Sequence, residues 1–354
     1  MISNPYIIQK LKKLADLGYP FNATIELTSR CNISCKYCYI DSGTGELDTA
    51  NVKFAIDRLD QAGVCTLLVT GGEPFIRKDI LEILTYIFQK NFFEIYIFSN
   101  GTLLNKKHIE FLADNSRLLN LFRISFFSHI PEVHDRFVGV PGSFDKALHT
   151  ARSLLSKGVR TGILINALSQ NVESIEITRN FFQSLGFKVQ IGKSKLLSTQ
   201  QIKNEFIDTV SEEFYTTYYK GICKEMAHNL KCQLEEETRY SRESQCLCEG
   251  LFGLISIRSD GSITPCLTFR NLSLGNIVSD QRPLREIYTS SEIYQTLKKI
   301  KKSDIGKCRS CKYINVCVIC PGIMHSENGD FSTPSAMFCN NVKALEKIIH
   351  PQIP

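Results

Sequence analysis

Three cysteines fall close together in the run Cys31-Asn-Ile-Ser-Cys35-Lys-Tyr-Cys38. Thiolates at this spacing can grip one corner of a small inorganic cluster. Four cysteines close a cubane iron–sulfur cluster. Three leave one iron open, and an open coordination position on a metal is where chemistry happens. A zinc site with its fourth ligand elsewhere satisfies the same spacing, so both readings stay open at this point.

A second constellation lies far downstream. Cys308-x2-Cys311-x5-Cys317-x2-Cys320 is followed by Cys339, and two close pairs at thiolate spacing are a strong metal signal, zinc included. Cys248 precedes the alternating run Leu254-Ile-Ser-Ile257, and Ser259-Asp260-Gly261 then makes a hairpin turn whose return strand ends at Pro265-Cys266. The hairpin brings Cys248 and Cys266 toward each other. The chain has fourteen cysteines in 354 residues. With no export signal, that usage speaks for metal rather than disulfides. Cys65 opens an apolar strand and reads as a small core residue. Cys223 shares a helix with Tyr215, Tyr218, Tyr219 and Met226 and reads as core; its sharper reading is a thiol that donates a hydrogen atom to a substrate radical. The seven histidines form no ligand cluster.

The elements that position these residues alternate between strand and helix. Apolar runs predict strands over Phe21–Leu27, Cys65–Val69, Glu94–Phe98, Leu121–Phe127, Thr161–Leu168 and Phe187–Ile191. Helical spacing marks Thr49–Gln61, Lys78–Gln89, Asn105–Ala113, Ser143–Lys157 with Ser143 as its N-cap, and Val172–Leu185. Strands of this kind separated by helices imply a parallel sheet, either a six-stranded partial barrel or an open doubly wound sheet. In both, the functional loops lie at the carboxyl ends of the strands. Every unusual motif falls there: the cysteine loop after the first strand, Thr70-Gly-Gly-Glu-Pro74 after the second, Ser99-Asn-Gly101 after the third, Ser125 late in the fourth and Asn166 late in the fifth. Gly71 and Gly72 let a backbone turn sharply and approach a ligand.

The composition, 43% hydrophobic and 22% charged, suits one large or two medium globular domains. A net charge of +6 is too diffuse to argue for nucleic acid. Lys298–Lys302 reads as a solvated helix face, and no apolar stretch is long enough to span a membrane. Residues 1–20 mix Lys and Asp in an amphipathic pattern without a signal-peptide core, which places the chain in the cytoplasm.

The C-x3-C-x2-C loop with Tyr37 before its last cysteine, together with Gly71-Gly72-Glu73-Pro74, resembles the radical S-adenosylmethionine (SAM) enzymes. The C-terminal cysteines, with Gly261-x4-Cys266 and Cys308-x2-Cys311-x5-Cys317, resemble their SPASM subgroup. The resemblance covers roughly residues 21–340. One departure is the two residues between Cys317 and Cys320, where the family has three. The resemblance implies a 4Fe-4S cluster on Cys31, Cys35 and Cys38 whose open iron chelates SAM. Gly71, Gly72 and Glu73 would hold the methionyl amino group. Ser125 and Asn166 would contact the methionyl carboxylate or the ribose, their alternative being to satisfy a strand end, and Asn100 is a further cofactor-binding candidate. Read on its own, Arg136 either pairs with the SAM carboxylate or is an exposed salt-bridging arginine. Two auxiliary 4Fe-4S clusters would follow: an outer one on Cys308, Cys311, Cys317 and Cys339, and an inner one on Cys266, Cys320, Cys248 and Cys246, with Cys232 able to replace Cys246.

The expected fold is α/β: a partial (β/α)6 TIM-like barrel with a C-terminal cysteine-rich, SPASM-like domain. The units are residues 1–20, a helical extension; 21–215, the barrel; 216–240, a helical linker; 241–345, the auxiliary domain; and 346–354, a tail. The resemblance implies reductive cleavage of SAM to a 5'-deoxyadenosyl radical and hydrogen abstraction from a ribosomally made peptide or a protein side chain. A small metabolite such as a sugar, amino acid or tetrapyrrole is the alternative substrate; a non-enzymatic zinc or iron–sulfur module is the alternative class. An electron donor such as flavodoxin or ferredoxin is the expected partner, with no nucleic acid and no membrane. The short N-terminus leaves no room for a separate peptide-recognition domain of about 80 residues, so a leader peptide is expected to dock on the core or on a partner. The family's Ser-Leu-Asp-Gly end to strand four reads Ser125-Phe-Phe-Ser128 here, without the acid.

Overall fold

In a computed structural model, the structure describes residues 13–14, 17–35, 37–40, 43, 45–193, 211–220, 253–270, 272–314, 317 and 319–349. The expectations for Cys223, Cys232, Cys246 and Cys248 fall outside these residues.

Six parallel strands follow one another in space as they do in sequence: β1 (Asn22–Glu26), β2 (Thr66–Thr70), β3 (Glu94–Ser99), β4 (Leu121–Phe126), β5 (Thr161–Ala167) and β6 (Lys188–Lys193). A doubly wound sheet reverses its strand order at a switch point. This order never reverses, which decides for the partial barrel. The register, Thr24 beside Leu68, Leu68 beside Tyr96, Phe98 beside Arg123 and Ser125 beside Leu164, sorts the side chains into two faces. Ile25, Val69, Ile97, Ile124 and Ile163 point to the helix side and are buried. Thr24, Glu26, Thr70, Phe98, Arg123, Ser125, Leu164 and Asn166 share the other, more polar face.

The sheet continues beyond β1. β7 (Leu254–Ile257) pairs parallel with β1, β8 (Ser262–Thr264) antiparallel with β7, and β9 (Gly275–Asn276) antiparallel with β8. The C-terminal unit is therefore laminated onto the barrel rather than hung from it. The helices Leu284–Ser290, Glu292–Lys299, Pro321–Asn328 and Ala336–Ile349 complete it, the last running through the expected 345/346 boundary.

The helix Thr49–Gln61 forms as expected. Asp48 accepts from Asn51 N, and Val52, Ala55, Ile56 and Leu59 make its buried stripe. Other boundaries shift. The second helix begins at Ile80 after a 3-10 turn, Pro74–Ile76. The helix Ile175–Ser184 likewise follows a separate 3-10 turn, Val172–Ser174. Ser143 is the first residue of its helix and not the cap. Asp135 does that work, accepting from Gly142 N at 2.5 Å and Phe144 N at 2.9 Å. Asp135 belongs to a helix absent from the sequence reading, Pro131–Val138. Tyr215, Tyr218 and Tyr219 are buried, as core residues should be, and the Tyr219 hydroxyl donates to Asn341 Oδ1 at 2.7 Å. Among the described residues no helix is long and apolar enough to cross a membrane.

Candidate functional site

The first cysteine loop is held from three sides. Leu27 N donates to Thr70 O (2.9 Å), Gly72 N to Thr28 O (2.8 Å) and Glu73 N to Arg30 O (2.9 Å), so pairing of β1 with β2 runs on past both strand ends. A Cβ at Gly71 would lie 2.6 Å from the Thr28 carbonyl oxygen, and one at Gly72 2.2 Å from that of Arg30. What these glycines admit is the backbone of the cysteine loop itself, where the sequence pointed to a ligand. Beneath the loop, buried Arg77 donates to Leu27 O and Leu47 O, both at 2.9 Å, and pairs with Asp79 and Glu46. On the far side Ser34 N donates to Val138 O at 2.9 Å, and the Tyr37 ring packs on Phe127 with centroids 4.4 Å apart. Phe127 is thus a 2% exposed hydrophobic prop for the loop.

Cys31, Cys35 and Cys38 sit near enough to repel one another as thiolates. Burial pushes Cys35 up to about 12, and Cys38 and Cys31 add to it. Burial also raises Cys31, with smaller contributions from Glu73 and Cys38. Such a donor set ionises readily only around a cation, which fits an iron–sulfur cluster.

Glu73 is fully buried. Phe75 N (3.0 Å) and Ser99 Oγ (2.9 Å) donate to its Oε1, and Asn100 N (2.7 Å) to its Oε2. Burial still pushes the carboxyl up to about 7. Its carboxylate is spent inside the fold, fastening the end of β3. From there the Asn100 side chain reaches the cysteine loop: Nδ2 donates to Asn32 Oδ1 at 3.0 Å and to Cys31 Sγ at 3.7 Å. Thr102 donates to Asn100 Oδ1 through N (2.9 Å) and Oγ1 (2.7 Å), and Asn32 Nδ2 donates to Thr102 Oγ1 at 2.8 Å. The three side chains close a ring. Sequence reading missed Asn32 and Thr102, although both flank motif residues.

Ser125 and Asn166 are half-buried on the polar face of the sheet, and Asn166 pairs in register with Gly192. Arg136 is exposed near the end of the Pro131–Val138 helix. Arg123, on the same polar face and unnoticed in the sequence, lies over the Phe98 ring at 5.1 Å.

The described downstream cysteines form two groups. Burial pushes Cys317 up to about 12, and Cys339, Cys308 and Cys311 add to the shift; Cys308 is raised by burial and then by Cys339 and Cys311. Lys302 offsets part of this and donates from Nζ to Cys317 O at 3.0 Å. In the second group Thr268 Oγ1 lies 2.9 Å from Cys266 Sγ and 3.8 Å from Cys320 Sγ. Among the described residues no three His, Cys, Asp or Glu side chains converge tightly enough for a single metal ion. Between the two cysteine regions lies a buried ion pair: Arg270 Nη1 to Glu26 Oε1 at 2.6 Å and Nη2 to Oε2 at 3.3 Å, with the Arg270 guanidinium 5.3 Å above the Tyr39 ring.

Family models match this arrangement at both ends. The radical SAM superfamily matches residues 25–182, and an iron-sulfur cluster-binding domain, SPASM, matches residues 246–312. The chain belongs to the radical SAM enzymes that carry a SPASM domain. It is 29% identical to the antilisterial bacteriocin subtilosin biosynthesis protein AlbA of Bacillus subtilis (strain 168), over 74% of this chain and 58% of AlbA. It is 27% identical to an AdoMet-dependent heme synthase of Methanosarcina barkeri (strain Fusaro / DSM 804), over 86% of this chain and 92% of that one. The fold superposes on native anSMEcpe with bound AdoMet at a TM-score of 0.74 and 18% identity, covering 94% of this chain and 98% of the other.

The cofactors of this family are a 4Fe-4S cluster with SAM in the first unit and auxiliary iron–sulfur clusters in the second. The bound cluster supplies the electron that breaks a carbon–sulfur bond of SAM. The chain's own part is positional: Arg77, Gly72 and Ser34 pin the loop, Tyr37 shields Cys35, and Asn100 addresses Cys31.

Proposed function

We propose that this chain reductively cleaves SAM and directs the 5'-deoxyadenosyl radical at a side chain of a ribosomally made peptide or a protein. One electron from a small carrier such as flavodoxin or ferredoxin enters; SAM yields methionine and the radical. The radical takes a hydrogen atom from a substrate carbon and leaves as 5'-deoxyadenosine. Cys31, Cys35 and Cys38 hold the SAM cluster. Gly71, Gly72, Glu73, Asn100, Ser125, Arg136 and Asn166 frame the SAM pocket, Glu73 acting through its backbone and through Asn100. Cys308, Cys311, Cys317 and Cys339 hold an outer auxiliary cluster; Cys266 and Cys320, with Cys248 and Cys246, hold an inner one. The observation that carries the reading is two thiol regions on one continuous sheet, with Glu26 and Arg270 spanning between them. The peptide substrate is supported by the likeness to AlbA.

Replacing Cys31, Cys35 and Cys38 together by alanine should remove about four irons per chain, one cubane's worth, and abolish 5'-deoxyadenosine formation. Robust formation by that variant would sink the reading.

A tetrapyrrole is the second substrate reading, favoured by the match across 92% of the heme synthase. Anaerobic incubation with SAM and an iron tetrapyrrole bearing carboxylate side chains, read by mass spectrometry, separates the two. Loss of carboxyl groups from the tetrapyrrole favours the second reading. An unchanged tetrapyrrole, with loss of hydrogen from peptides encoded beside the gene, favours the first.

A further inference from the structure

We infer that Asn100 tunes the SAM cluster, its side-chain amide raising the reduction potential by donating a hydrogen bond to the Cys31 sulfur. The inference rests on the function proposed above, because it presupposes a cluster on Cys31, Cys35 and Cys38. Three observations carry it. First, Asn100 Nδ2 faces Cys31 Sγ at 3.7 Å across a gap of 69 residues in sequence. Second, the amide cannot be turned round. Its Oδ1 already accepts from Thr102 N and Thr102 Oγ1, and a flipped amide would set NH2 against that backbone N–H. Asn32 completes the ring and Glu73 fixes the Asn100 backbone, so the donor is aimed from two directions. Third, Cys31 is the exposed member of its trio, whereas Cys35 and Cys38 are partly covered. Cys35 has the Tyr37 hydroxyl as a partner; Cys31 has the Ile33 backbone N–H and, as its side-chain donor, Asn100.

A hydrogen bond to a ligating sulfur favours the electron-rich reduced cluster, and such bonds are among the determinants of cluster potential. Asn100 therefore makes the cluster easier to reduce. Removing its N–H groups should leave a cluster that is harder to reduce. The Asn32–Thr102 ring is the outer support of this donor, and loosening it should produce a smaller change of the same sign.

The test is an anaerobic redox titration of the full reconstituted chain, followed by electron paramagnetic resonance, for wild type, Asn100→Leu and Thr102→Val. Iron is counted on each sample. The expected result is a shift of the SAM-cluster midpoint to more negative potential in Asn100→Leu and a smaller negative shift in Thr102→Val, with the auxiliary signals unmoved. A full iron complement with an unchanged midpoint in Asn100→Leu would overturn the inference. So would loss of the SAM cluster from both variants, since Asn100 would then serve assembly rather than potential. If wild type itself shows no cluster that depends on Cys31, Cys35 and Cys38, the functional reading has failed instead.

Discussion

Arg270 reaches from the cysteine-rich unit to close on Glu26 at the carboxyl end of β1, through contacts of 2.6 and 3.3 Å between side chains only 3% and 2% exposed. Glu26 lies five positions before Cys31 and Arg270 four after Cys266. One buried pair thus ties together the two cysteine loops. Buried pairs seldom add stability over apolar packing, but breaking one is costly.

Arg270→Met should accordingly destabilise the fold by about 3–5 kcal/mol, because it leaves the Glu26 carboxylate buried without its counter-charge. Glu26→Gln together with Arg270→Met should recover much of that loss. Chemical denaturation of wild type, Arg270→Met, Glu26→Gln and the double variant measures it. Additive losses in the double variant would mean the two residues act independently.

Replacing Cys308, Cys311, Cys317 and Cys339 by alanine should remove about four irons and leave the SAM cluster intact. The four thiols influence one another, whereas Cys266 and Cys320 meet at Thr268. Iron analysis after reconstitution checks the partition. Loss of about one zinc per chain, with no change in iron, would assign the group to a structural site.

Gly72→Ala should disturb the first cysteine loop selectively. The added methyl would meet the Arg30 carbonyl oxygen at 2.2 Å, and backbone has little room to yield. Overpacking of this kind costs about 1–3 kcal/mol. Iron on the SAM cluster should fall while auxiliary iron stays. Gly63→Ala is the control: its φ of +79° carries strain but nothing lies within 4 Å, so stability drops by about 1–2 kcal/mol with full iron retained.

His134 should make stability fall on acidification. Burial lowers its pKa from 6.5 to about 4, with Asp135 opposing only weakly. The unfolded chain then binds more protons than the folded one between those values. Stability is complete above about pH 6.5 and is lost as pH falls toward 4, by about 3 kcal/mol. Urea unfolding across this range should show that slope in wild type and a flatter one in His134→Leu. Equal slopes would remove His134 from the account.

Much of the barrel was legible because its strands are short apolar runs and its helices amphipathic; Thr49–Gln61 follows from Val52, Ala55, Ile56 and Leu59 alone. The helix Pro131–Val138 escaped because a buried His134 occupies a core position and breaks the apolar period. The cysteine spacings were local and could be read. Glu26 and Arg270 stand 244 residues apart, and a lone acid at a strand end announces no partner. The glycine pair was visible, but its purpose depends on what packs against it, which only the folded loop of Arg30 supplies.

The parallel pairing of β1 with β7 has a consequence for synthesis. On a ribosome, β1 emerges early and gains β2 soon after, but its other edge waits until Leu254–Ile257 has been made. Until then, an open strand edge lies beside the first cysteine loop, a state that favours pairing with the wrong chain. So long a sequence separation also makes this contact slow to form. Cluster insertion before release would therefore act on an unfinished scaffold, and a chain shortened before β7 would expose that edge permanently.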